Sequence, residues 1–141
     1  MIELVSLPKT HYPLLKKYYK QHKVRGKLAS HDIAWVALAN NHIIACCKFT
    51  PVADAWLLSA VHTDTAWRGQ KVASSLLLEA LKYAPKPLFT FPYRELISWY
   101  QQLGFEICET AQISHAEIVE KWHSYQAQGR DIEIMDFKSN H

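Results

Sequence analysis

The chain has 141 residues, 49% of them hydrophobic, with four Gly, six Pro and a formal net charge of +3. A domain of this length buries roughly two-thirds of its unfolded surface, so one globular domain is expected and a disordered or fibrous chain is excluded. The apolar runs are short and broken by Ser and His, and the first twenty or so residues lack the apolar block of a secretory leader; a cytoplasmic protein with no membrane partner is the expectation.

In chain order, Ile2–Ser6 reads as a strand and residues 8–23 as a helix begun at Pro8-Lys9-Thr10. Tyr12, Leu15, Tyr18 and Tyr19 form its buried stripe. Six of the sixteen basic residues lie between Lys16 and Lys27. They fall largely on the opposite side, which favours a solvated face over a nucleic-acid surface, and no nucleic-acid partner is expected. Ile33–Ala39 and residues 42–50 read as strands joined at Asn40-Asn41, a dipeptide suited to a tight hairpin. A turn at 51–54 leads to a third strand, Ala55–Thr63. Cys46 and Cys47 are neighbours in a strand and face opposite sides, so neither a shared metal nor a bridge is expected, and Cys108 reads as a small apolar residue.

Residues 67–71 form a compact turn that runs straight into a helix, where Val72, Ala73, Leu76, Leu77, Ala80, Leu81 and Ala84 recur at helical spacing. The first turn of such a helix points backbone N–H groups and partial positive charge into the loop, which favours an anion there. Residues 87–91 read as a short strand. Pro92 suits the first turn of a further helix carrying Leu96, Ile97, Tyr100 and Leu103 on one face, and Gly104 fits the left-handed position beyond its end. Phe105 opens a strand over 105–110. Ser114 and Glu117 are spaced as a capping box for a helix over 114–128, with Gly129 as its stop and a last strand over 131–137. Trp122, read as an exposed aromatic, would suit a homodimer contact.

Arg68-Gly69-Gln70-Lys71-Val72-Ala73 resembles the Arg/Gln-x-x-Gly-x-Gly/Ala motif of the GNAT-type N-acetyltransferases. Trp99-Tyr100-Gln101-Gln102-Leu103-Gly104-Phe105 resembles that family's second motif, a helix ending in Leu-Tyr-x-x-x-Gly-Phe. The resemblance implies an α/β (α+β) fold with a mixed, mostly antiparallel sheet of about seven strands flanked by helices, here with an extra helix before the last strand. It also implies acetyl-coenzyme A as co-substrate. The backbone amides of Arg68, Gly69, Gln70, Lys71, Val72, Ala73 and Ser74 would hold its pyrophosphate, with Arg68 and Lys71 as charged helpers, and Val61, His62 and Thr63 would run along its pantetheine arm. Two positions depart from the family: Lys71 stands where Gly is usual, and Tyr93, counted here with the cofactor-binding positions, replaces Asn.

The implied reaction is transfer of an acetyl group to an amine of a small molecule or peptide by direct attack. The family role of Tyr100 is to give a proton to the departing thiolate; its other reading is a core aromatic. No acidic residue lies in Ala55–Thr63 to act as base. His62 is the nearest titratable group, with an ordinary pKa of about 6.5. It shares parity with Trp56, Leu58 and Ala60, so a buried structural histidine is its competing role, and Asp64 is the other candidate. His62, His115 and His123 lack the carboxylate or Cys partners of a zinc site, and no metal is expected. The helix over 114–128 would cover part of the acceptor site. The alternative function is a binding module of the same fold that senses acetyl-coenzyme A with little turnover.

Overall fold

Asn40 and Asn41 both take left-handed backbone angles, φ 50° and 64°, and close β2 (Ile33–Ala39) onto β3 (His42–Val52) as an antiparallel hairpin. Both angles are positive, as a type I′ turn requires, and that twist matches the flanking strands. The computed structural model describes residues 1–138. Its seven strands form one mixed sheet in the order β1-β2-β3-β4-β5-β7-β6, with β1 at Ile2–Ser6 and β4 at Ala55–Thr63. β5 (Leu88–Thr90), β6 (Phe105–Ile107) and β7 (Met135–Phe137) complete it. β1 pairs antiparallel with β2, β7 pairs antiparallel with both β5 and β6, and β4 pairs parallel with β5. Four helices accompany the sheet: α1 (Tyr12–His22), α2 (Val72–Leu81), α3 (Ile97–Gln102) and α4 (Ala116–Ala127). None is long and apolar enough to cross a membrane.

The chain divides into two compact units. The first comprises Met1–Thr50 and Ser59–Ala84. There α1 buries Tyr12, Leu15, Tyr18 and Tyr19, the stripe read from the sequence, against Leu28, Ala34, Val36 and Cys46. The loop between α1 and β2 is held from beneath by Asp32, which is 1% exposed. Its carboxylate accepts from Lys48 Nζ at 3.2 Å, Thr50 Oγ1 at 2.7 Å and the Ala29 amide at 2.8 Å. Lys48 Nζ also donates to the Lys27 carbonyl at 2.6 Å. The Tyr12 hydroxyl donates to the Asp32 carbonyl at 2.6 Å and accepts from the Ala34 amide at 3.1 Å. A buried charge pair needs further hydrogen bonds to be tolerable, and here both partners have them.

The second unit comprises Pro51–Leu58 and the described residues from Pro85 onward. Its core gathers Ala55, Leu57, Phe89, Ile118 and Ile134. Several expected boundaries shift here. Pro92 lies outside any helix: Tyr93 is extended and bridges Ile132, a 3-10 turn covers Arg94–Leu96, and α3 begins at Ile97. Leu96 is exposed rather than on the buried face. The expected strand after Phe105 stops at Ile107, and the last strand shortens to Met135–Phe137. The Ser114 capping box does not form; His115 is the N-cap of α4, and its Nδ1 meets Asp54 Oδ1 at 2.9 Å. Trp122 is not an exposed contact surface: it packs on the core and its Nε1 donates to the Ile132 carbonyl at 3.3 Å. Gly104 and Gly129 take the left-handed stops expected of them, φ 103° and 91°.

Two substitutions test the first unit. Asp32→Ala strands the Lys48 ammonium and is expected to lower unfolding free energy by about 3–5 kcal/mol, read from the denaturation midpoint; a loss below 1 kcal/mol would contradict the buried pair. Lys71 sits at φ 60°, so a β-branched Lys71→Val is expected to cost about 1–2 kcal/mol. Lys71→Gly should leave the midpoint nearly unchanged, strain relief offsetting the added freedom of the unfolded chain.

Candidate active site

The strand that leads into the site does not alternate to its end. Leu57 and Leu58 are both buried, and Ala60 turns left-handed at φ 55°. A non-glycine residue in that region costs about 1–3 kcal/mol and persists only where its surroundings hold it. Here the Ala60 carbonyl accepts a contact from Cys46 Sγ at 3.4 Å, and the chain returns to β3 where the Asp64 amide donates to the Ile44 carbonyl at 2.8 Å. The kink defeats the parity argument for His62. Val61, His62 and Thr63 follow it, all half-buried rather than alternating. The ladder of β4 with β5 spans Trp56–Leu58 alone.

Asp64 then caps a 3-10 turn, Thr65–Trp67, by accepting from the Ala66 amide at 3.0 Å. Arg68 Nε reaches back to the Thr63 carbonyl at 3.3 Å, tying the loop to the strand end. Gly69 at φ 80° and Lys71 at φ 60° reverse the chain in two left-handed steps separated by Gln70. No atom lies within 4 Å of where a Cβ on Gly69 would sit, so its backbone angle and not crowding calls for glycine. Lys71 is not helical. It is the left-handed N-cap of α2, which explains why glycine suits this slot, and no side chain caps the helix there. The first helical bond runs from Ser75 N–H to the Lys71 carbonyl at 3.0 Å. Val72, Ala73 and Ser74 make up the first turn, which carries no acidic residue. Arg68, Gly69, Gln70 and Lys71 are exposed. A helix start with no capping side chain at Lys71 and no acidic residue in its first turn is a setting for a phosphate-bearing ligand.

His62 is not a solitary strand residue. Its Nδ1 lies 2.9 Å from the Tyr18 hydroxyl on α1, a contact across 44 residues of sequence. His22 stacks on Tyr18 with ring centroids 4.1 Å apart and stands 5.6 Å from His62. Burial, then the charges of His22 and Arg68, hold the His62 pKa below its ordinary 6.5, with Asp64 opposing. Burial pushes the Tyr18 phenol well up. Sequence reasoning placed Tyr18 only in the core stripe, since a residue in the buried stripe of an amphipathic helix carries no mark of a distant partner.

The remaining predicted site residues belong to the second unit. Tyr93 is exposed and extended just before the Arg94–Leu96 turn. Tyr100 is buried within α3, its ring edge-on to Trp99 and Phe105 at 4.9 and 5.7 Å. The cysteines are poor nucleophiles: burial pushes Cys46 up to about 12, Cys108 up to about 11 and Cys47 higher still. Among the described residues no group of three or more His, Cys, Asp or Glu is arranged to hold a metal ion.

Against known proteins, the family described as Acetyltransferase (GNAT) domain matches residues 30–107. Curated proteins yield no match. Among solved structures, Escherichia coli ElaA is similar at 20% identity and TM-score 0.63, with 96% of this chain and 99% of that one covered. The paia N-acetyltransferase of Thermoplasma acidophilum, crystallised with coenzyme A, is similar at 15% identity and TM-score 0.61, with 98% and 99% covered. N-acetylglutamate synthase of Neisseria gonorrhoeae, complexed with coenzyme A and N-acetyl-glutamate, is similar at 11% identity and TM-score 0.67; 97% of this chain is covered but only 35% of that one. At these identities the solved structures establish a shared fold, and the family match spans over half of the sequence. The left-handed loop before α2, the strand kinked at Ala60 and the matched residues therefore agree: this chain belongs to the GNAT acetyltransferase family.

Proposed function

We propose that the chain is an N-acetyltransferase that moves an acetyl group from acetyl-coenzyme A to an amine of a small molecule or peptide by direct attack. The observation that carries this reading is the uncapped start of α2 behind the two left-handed residues Gly69 and Lys71. Those residues fit a diphosphate: amides from Arg68 to Ser74 would hold it, with the Arg68 and Lys71 charges beside them. Val61, His62 and Thr63, which follow the kink, would bind the pantetheine arm through main-chain groups. When bound, acetyl-coenzyme A supplies a thioester whose acyl carbon is open to an amine.

Two protons must move, and two residues are assigned to them. A phenol is a proton donor, and Tyr100 is assigned to give its proton to the departing thiolate. His62 takes the proton of the attacking amine. Its depressed pKa keeps the imidazole neutral, and so able to accept, at physiological pH. α4 is assigned to the acceptor side. The second reading, an acetyl-coenzyme A sensor with little turnover, is favoured by Lys71 in the slot where glycine is usual.

Calorimetric binding of coenzyme A set beside thiol release across an amine panel separates the two readings: binding with turnover on at least one amine is expected, and binding without turnover on any would favour the sensor. Tyr100→Phe is expected to lower kcat about 100-fold with coenzyme A affinity retained; unchanged turnover would remove Tyr100 as the acid. The rate should rise with pH as His62 loses its proton. Because that pKa is depressed, the acid limb of kcat/KM is expected below the ordinary 6.5, and a limb at or above that value would count against His62 as the base.

A further inference from the structure

We propose that Tyr18 is a positioning residue that fixes neutral His62 with its proton on Nδ1, leaving the Nε2 lone pair to receive the proton of the attacking amine. This deepens, and rests on, the reading of His62 as base. The Tyr18 oxygen has two polar neighbours, His62 Nδ1 at 2.9 Å and the Ile44 carbonyl oxygen at 3.5 Å. A phenol carries one proton, a carbonyl can only accept, and an imidazole nitrogen can do either according to tautomer. One assignment makes both contacts hydrogen bonds: Tyr18 O–H donates to Ile44 and Nδ1–H donates to the Tyr18 oxygen. The reverse, with the phenol proton on Nδ1, leaves the longer Ile44 contact without a hydrogen and puts a hydrogen on Nε2, where it blocks proton uptake.

The surroundings hold that assignment. Burial keeps the Tyr18 phenol protonated, so it remains a donor to Ile44. The His22 ring stacked on it prevents the phenol from swinging away. The charged or titratable groups that face His62 and Tyr18 are His22 from α1, Cys46 from β3, and Asp64 and Arg68 beyond β4. When Nε2 takes the amine proton, Nδ1–H stays on the Tyr18 oxygen, so the ring charges without turning. The general base is thereby oriented by a second residue, as catalytic imidazoles commonly are.

Nitrogen-15 NMR of the full chain labelled at histidine reads this directly, with the His62 signals assigned by their loss in His62→Gln. In the parent above pH 7.5 or so, His62 is expected to carry its proton on Nδ1 with a bare Nε2. In Tyr18→Phe the signals should shift toward the Nε2–H form, with kcat lowered at least about tenfold and KM for acetyl-coenzyme A held within about twofold. An Nε2–H tautomer in the parent overturns the proposal, even if Tyr18→Phe fails to fold, and so does an unchanged tautomer in a folded Tyr18→Phe. Full turnover in His62→Gln beside an Nδ1–H parent would sink the base reading while upholding the hold of Tyr18 on the ring.

Discussion

A carboxylate buried at the foot of the loop before β2 determines where α1 lies. Asp32 gathers Lys48, Thr50 and the Ala29 amide around its side chain, while its carbonyl takes the hydroxyl of Tyr12, the first residue of α1. With the start of the helix pinned there, Tyr18, nearly two turns on, is carried over β3 to the strand end bearing His62. The Tyr18–His62 contact is thus anchored by a polar cluster at the start of α1. Apolar packing alone would fix the helix face, but not the rotation and offset that a 2.9 Å contact demands.

Strain is distributed in the same spirit. Ala60 and Lys71 each hold a backbone angle that ordinary residues avoid; Ala60 precedes the residues proposed to hold the co-substrate, and Lys71 is one of them. Residues held in such angles gather where geometry matters more than comfort. At Ala60 the kink turns the strand end out of simple alternation. At Lys71 the left-handed angle ends the loop and sets where α2 begins.

What the sequence disclosed was largely local. Strand Ile2–Ser6, the Asn40-Asn41 hairpin, the tyrosine stripe of α1 and the loop–helix motif at Arg68 all depend on spacing or turn chemistry within a dozen residues, and the structure carries each of them. What it concealed depended on partners far along the chain. Pro92 looks like a helix start, yet Tyr93 is drawn straight by its bridge to Ile132. Ser114 looks like a cap, yet His115 takes that place because Asp54 waits 61 residues away. The parity of His62 was misleading for a different reason: nothing in the residue type Ala announces a left-handed kink, so periodicity was carried past the point where it ends.

The three cysteines set a constraint on the order of events. With their thiols held far from ionisation at neutral pH by burial, none offers a sulfur anion to collect the acyl group before the acceptor arrives. A relay through a cysteine-bound acyl enzyme is therefore disfavoured. The proposed direct attack instead brings donor and acceptor together in a ternary complex, for which initial-rate plots against one at several fixed levels of the other intersect.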